Sequence, residues 1–118
     1  MTGQGRILVI GMADSIHVAR WLDIAMAGTE VDVLFVPTSP HRRVHSSIHE
    51  RSKSSPSFKI HPVLRYLSLF FWVLDRNTFR PNYLRSLFIE RAIKSFRPDL
   101  IHVLETQNGG YPFALAAN

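Results

Sequence analysis

Apolar residues follow two different rhythms along this chain. Residues 6–11 (RILVIG) form an unbroken apolar run closed by glycine, and residues 31–36 (VDVLFV) form a second run closed by Pro37. Continuous runs of this length predict strands buried on both faces. Between them Asp14-Ser15 supplies a helix N-cap signal, and Ile16, Ala19, Leu22 and Met26 recur every three or four residues. That spacing predicts a helix over about 15–27, with Gly28 as its stop. Strand, tight turn, helix and strand within about 36 residues make a βαβ unit, with parallel strands and a right-handed crossover.

Beyond Pro37 the pattern loosens. Residues 38–57 are rich in Ser, His, Arg and Pro, so a loop is the default reading. Ser39-Pro40 also suits a helix start, and Val44 and Ile48 lie four apart, which allows a short helix over about 40–50. Residues 58–61 predict a short third strand, and the apolar stretch 63–75 a helix. Asn82 caps a further helix over 83–96, with Leu84, Leu87, Phe88, Ala92 and Ile93 on one face. Arg97-Pro98-Asp99 is a turn, residues 100–104 (LIHVL) a fourth strand, 106–110 a turn, and 111–118 the start of a helix.

This alternation predicts an α/β fold, a Rossmann-like doubly wound parallel sheet with strand order 3-2-1-4. In that order strands one and four are neighbours and the chain reverses between them. Ligands of such folds bind beyond the carboxyl ends of the strands at that switch point. Gly11, Asp14, Ser15 and His17 lie there, as do Glu105, Thr106, Gln107, Asn108 and Gly109.

Composition narrows the picture. The 118 residues allow one domain, and 46% apolar residues exclude a disordered chain. No cysteine is present, which excludes disulfides and thiolate sites. The net charge of +5 is local. Arg42, Arg43, Arg51, Lys53, Lys59 and Arg65 fall within residues 41–65 against Glu50 alone, and the rest of the chain is neutral. One aromatic residue, Phe58, lies within that segment, so it lacks the stacking platforms of a nucleic-acid binder, and no nucleic-acid motif appears. A basic stretch followed by the apolar residues 64–74 suits an acidic membrane face or a lipid-linked acceptor; the plainer reading is a solvated loop and a core-facing helix. The apolar stretches are too short for a signal segment or a membrane span.

Each candidate site has a structural alternative. Gly11 permits close approach of a ligand at a helix N-terminus, or simply a tight turn. The dinucleotide fingerprint is not met, because Ala13 and Ile16 occupy the positions of its second and third glycines, and no Walker lysine follows. His17 stands in the first helical turn as a neutral donor or acceptor, or as a surface residue. A carboxylate and two amides in 105–109 suit sugar hydroxyls, or serve turn chemistry. His102 points with Leu100 and Leu104, and reads best as a hydrogen-bonded histidine of the sheet. His41, His45 and His49 are spaced by four, as metal ligands on a helix are, but no Asp or Cys completes a site.

Three segments together carry a family resemblance: RILVIGMADSIHVARWL at 6–22, VDVLFV at 31–36 and RPDLIHVLETQNGGYPFALA at 97–116. They resemble the N-terminal domain of GT-B glycosyltransferases, particularly the retaining family 4. The resemblance covers both ends of the chain and skips about 37–80. It implies transfer of a sugar from a nucleotide-sugar to an acceptor, a cell-envelope glycan or a lipid-linked molecule, without a bound metal or other cofactor. It also implies a cytoplasmic protein, at the inner face of the membrane where it meets such an acceptor. The N-terminal domain of such enzymes mainly binds the acceptor, so Gly11 and His17 would line the cleft and Glu105 to Gly109 would face them. Many relatives carry a second histidine where Leu104 stands here, followed by an acid; the acid is kept as Glu105, and no catalytic residue is assigned. Residues 1–118 are expected to be one incomplete N-terminal domain, lacking the donor-binding domain and inactive by itself. The rival is a free-standing flavodoxin-like or nucleotide-binding module without catalysis.

Overall fold

The computed structural model describes residues 5–27, 31–37, 44–63, 70, 73–74 and 83–104. The elements follow in the order β1 (Arg6–Gly11), α1 (Ile16–Ala25), β2 (Asp32–Pro37), α2 (Ser46–Ser54), β3 (Phe58–Ile60), α3 (Tyr83–Phe96) and β4 (Leu100–Val103). The strands form one sheet of order β3-β2-β1-β4, every neighbouring pair parallel. This is the Rossmann-like doubly wound arrangement expected from the alternation of elements.

The two apolar runs form the centre because both of their faces are covered. β1 aligns Leu8 with Leu34, Val9 with Phe35 and Ile10 with Val36 of β2, and Val9 with His102 of β4. Alternation sends Val9, Val33, Phe35 and Phe58 to one face, where they pack with Val18, Ala19 and Leu22 of α1 and Ile48 of α2. Leu8, Ile10 and Val36 face the other way, against Ile89 and Ala92 of α3. Leu8, Ile10, Phe35 and Val36 are wholly buried. Burying each such side chain contributes about 1.5–3 kcal/mol.

Local chemistry sets the element ends. Ser15 caps α1, its Oγ accepting from the Val18 amide at 3.4 Å. The helix starts one residue later and ends two residues earlier than predicted, with Met26 as its C-cap. α2 begins later than the 40–50 expectation and continues to Ser54, because His45 stands outside the helix and caps it: its Nδ1 accepts from the Ser47 amide at 3.2 Å. Ile48 is the buried residue of α2, with Val44 packed against the same cluster, so the four-residue spacing marked the right contacts around the wrong helix start.

α3 has the predicted bounds but a partly different face. Ile89 is fully buried, and Ser86 and Ala92 nearly so, whereas Phe88 and Ile93 are partly buried and Leu87 is half-buried. Arg97 ends α3 with a left-handed φ of 56°, its amide donating to the Ile93 carbonyl at 2.9 Å. Asp99 then ties the starts of β4 and β1 together. Its amide donates to the Arg6 carbonyl at 2.8 Å, and its Oδ2 accepts from the Arg6 amide at 2.9 Å.

Of the helix predicted over 63–75, residues 63, 70 and 73–74 are helical, and the remainder lies outside the described residues. The predicted turn at 106–110 and helix at 111–118 also lie outside them, as do Gly28 and Asn82.

Candidate functional site at the β1–β4 switch point

The reversal of strand order across the sheet between β1 and β4 leaves the β1–α1 turn beside the carboxyl end of β4. Gly11 is buried there at the end of β1. A methyl group added to it would meet the Leu104 Cβ at 3.3 Å and the Val18 Cγ2 at 3.4 Å. The missing side chain therefore lets β4 and α1 close over the end of β1. The Leu104 amide donates to the Ile10 carbonyl at 2.8 Å and holds that closure in register.

The turn itself is braced from two sides. The Ser15 amide donates to the Met12 carbonyl at 3.1 Å, and the Ala13 carbonyl accepts from the His45 amide at 2.7 Å. The second bond ties the turn to the start of α2, so two helices on the same face of the sheet hold it. Rigid support of this kind is what a binding loop needs.

A hollow of about 360 Å³ opens at this corner, lined by Met12, Ser15, His17, Val18, Trp21 and Leu104. Its size lies at the small end of ligand pockets, roughly 300–1,000 Å³. Two of the predicted site residues, Ser15 and His17, line it directly. His17 is exposed and Asp14 half-buried in the same turn. Glu105, Thr106, Gln107, Asn108 and Gly109 lie outside the described residues; in sequence they follow Leu104 immediately.

Sequence reasoning missed Trp21. It lies four residues after His17 on α1, which places both on one flank of the helix. Its ring stacks on His102, with centroids 4.4 Å apart and planes inclined by 19°. His102 does point with Leu104, as alternation predicted, but its partner is an aromatic ring from a helix far away in sequence. Alternation reveals the face of a strand and not which helical residue lands on it.

The basic segment divides. Arg51 of α2 pairs with Asp23 of α1 through its guanidinium, so part of its charge serves to join the two helices. Lys53 and Lys59 are exposed, and among the described residues neither meets an acid. Arg42, Arg43 and Arg65 lie outside the described residues. Of the three spaced histidines, His41 lies outside them, His45 spends its Nδ1 lone pair on the α2 cap, and His49 sits one turn further along. No group of three or more metal-ligating side chains occurs among the described residues.

At the carboxyl end of β3, the His61 amide donates to the Phe35 carbonyl at 2.8 Å, and its ring meets Phe88 edge-on at 6.4 Å. Burial beside α3 lowers the His61 pKa below 6.5, outweighing a backbone hydrogen bond that raises it.

A parallel, doubly wound sheet with a supported glycine turn and a hollow at its switch point defines a Rossmann-like domain. The glycosyl transferase 4-like family matches residues 6–118, nearly the whole chain, and the chain belongs to that family. No curated protein and no solved structure matches it significantly.

Proposed function

We propose that this domain is the acceptor-binding part of a glycosyltransferase that moves a sugar from a nucleotide-sugar to a cell-envelope glycan or a lipid-linked acceptor. The observation that carries the reading is the hollow beside Gly11, where Ser15 and His17 stand at the carboxyl ends of β1 and β4 in a glycosyl transferase 4-like chain. Ser15 and His17 offer hydrogen-bond donors and acceptors suited to sugar hydroxyls. Among the described residues lining the hollow no Lys or Arg appears, which fits an uncharged acceptor better than a donor diphosphate. Asp14 and Gly11 shape the turn, and Glu105 to Gly109 extend the same edge in sequence. The donor would be gripped by a second domain. The test is transfer from a panel of nucleotide-sugars to lipid extracts by the full-length native protein. Transfer that falls at least about tenfold in His17→Ala supports the reading; transfer unchanged by both His17→Ala and Glu105→Gln removes the site, and no transfer with any donor removes the activity.

A second observation favours a membrane-facing acceptor. Phe70, Val73 and Leu74 are helical and lie at i, i+3 and i+4, and all three are exposed, Phe70 to 57%. Exposed apolar residues that follow a basic segment in sequence suit the surface of an anionic bilayer. Among the described residues no helix is long and apolar enough to cross a membrane. Flotation with acidic liposomes should be lost in Phe70→Ser/Val73→Ser and weakened by neutralising Arg42, Arg43, Lys53, Lys59 and Arg65. Binding that survives both changes rules the membrane surface out.

A further inference from the structure

The hollow beside Gly11 combines two kinds of wall. Met12, Val18, Trp21 and Leu104 are apolar, whereas Ser15 and His17 are polar. Trp21 is the largest of these groups and is held in place: His102 stacks on it from the sheet at 4.4 Å, and it packs, partly buried, against the core cluster of α1 and the sheet. A fixed aromatic ring beside a hydroxyl and an imidazole is a chemically selective combination. An alkyl chain would fill the apolar part but strip water from Ser15 and His17 without replacing their hydrogen bonds. A phosphate would find no cation among the described lining residues. A pyranose ring matches both walls. Its C–H groups, made partly positive by the ring oxygens, face the negative π surface of the indole, and its hydroxyls lie at the ring edge.

We propose that Trp21, positioned by His102, is the platform on which a pyranose ring of the acceptor rests by its C–H face, with hydroxyls directed to Ser15 and His17. This rests on the acceptor-binding reading above and names the group bound at that site. Leu104 belongs to the same arrangement, because it closes over Gly11 and completes the apolar wall. His102 is a positioning residue here; it acts on the ligand through Trp21.

The chain carries only two tryptophans, Trp21 and Trp72, so two indole N–H signals report on the whole protein in proton–nitrogen correlation spectra. Trp21→Phe assigns them. The chain is titrated with methyl α-glucopyranoside, methyl α-mannopyranoside and methyl α-galactopyranoside to high millimolar concentration, and separately with hexanol and inorganic phosphate. A saturable shift of the Trp21 signal with at least one pyranoside, with the Trp72 signal still, is the expected result. Followed by saturation transfer from the protein to the pyranoside's own protons, which needs no indole signal, Trp21→Leu should weaken that binding about tenfold, and Trp21→Phe less. In His102→Leu the Trp21 signal should broaden or move before any sugar is added. A Trp21 signal that ignores all three pyranosides, or that moves only with hexanol or phosphate, overturns the proposal. The transfer assay separates the two readings. Pyranoside binding at Trp21 without transfer by the full-length protein leaves a sugar site and removes the transferase; transfer with a silent Trp21 leaves the transferase and removes this platform.

Discussion

The β1–α1–β2 unit and the α2–β3 unit that follows it are built on the same plan and differ in almost everything that makes a plan secure. In the first, two six-residue strands pair along their full length, and α1 buries Val18, Ala19 and Leu22. In the second, β3 is three residues long, and α2 buries Ile48 alone. The first unit is held by area, the second by a few specific contacts: the His45 cap, the Arg51–Asp23 pair and the insertion of Phe58 against Phe35 at 6.3 Å. The difference teaches where this fold keeps its stability. The site at the switch point draws its rigidity from the first unit and is tied to the second by the hydrogen bond between His45 and Ala13.

The contrast is broken most severely by emptying the shared centre. Phe35→Ala removes a fully buried ring and should cost about 3–5 kcal/mol, read as a lower denaturation midpoint at unchanged slope. A cost below about 1 kcal/mol would show that the sheet is not packed as described. Gly11→Ala should come next, at about 1–3 kcal/mol, because the new methyl sits 3.3 Å from Leu104 and 3.4 Å from Val18. Thermal unfolding measures it. In a double-mutant cycle with Val18→Ala, which removes the Cγ2 in the path of the new methyl, the double variant should lose less than the sum of the two single costs if that crowding is the cause. The two caps compare the units directly. Ser15→Ala should cost about 1 kcal/mol, and His45→Ala a similar amount for the lost side-chain acceptor.

The pH dependence is smaller and has a definite sign. Burial keeps the folded-state pKa of His61 below its unfolded value of 6.5, so the unfolded chain binds more protons in the window below 6.5. Stability is then fully present above that pH and falls as the pH drops through it. Denaturation midpoints measured on both sides of the window should differ in the wild-type chain, and less in His61→Phe. A stability that rises on acidification would reverse the assignment. The smallest effect is expected at Arg51. The pair with Asp23 is solvent-accessible on both sides, and a double-mutant cycle should return about 0–1 kcal/mol. A larger coupling would mean that α2 is fastened to α1 more firmly than its single buried residue suggests.

Legibility followed burial. The strands at 6–11 and 31–36, the helix at 83–96 and the strand order were readable because two-sided burial writes unbroken apolar runs and helical burial writes a period of three to four. The α2 start was misread because Ser39-Pro40 looks like a helix start, whereas the chain used His45, a residue whose capping ability no periodicity displays. On α3, Ile89 was passed over because several registers of an apolar-rich helix look alike until the sheet selects one. Around the hollow, the placement of Ser15 and His17 beyond the end of β1 was readable from their place between a strand and a helix. The place of Trp21 was not, because it rests on a stack with a residue eighty-one positions away.

By itself, then, the sequence determined the parallel α/β class, the central strands, the switch point between β1 and β4, and the family resemblance that the 6–118 match shows to be membership. Those properties depend on the order and periodicity of residues, which a linear chain states openly. Only the tertiary structure decided what surrounds Gly11, that Arg51 spends its charge on Asp23, and that His102 supports Trp21 at the edge of a hollow. Those facts depend on which side chains meet across the sheet, and packing selects such partners only once the helices lie on it.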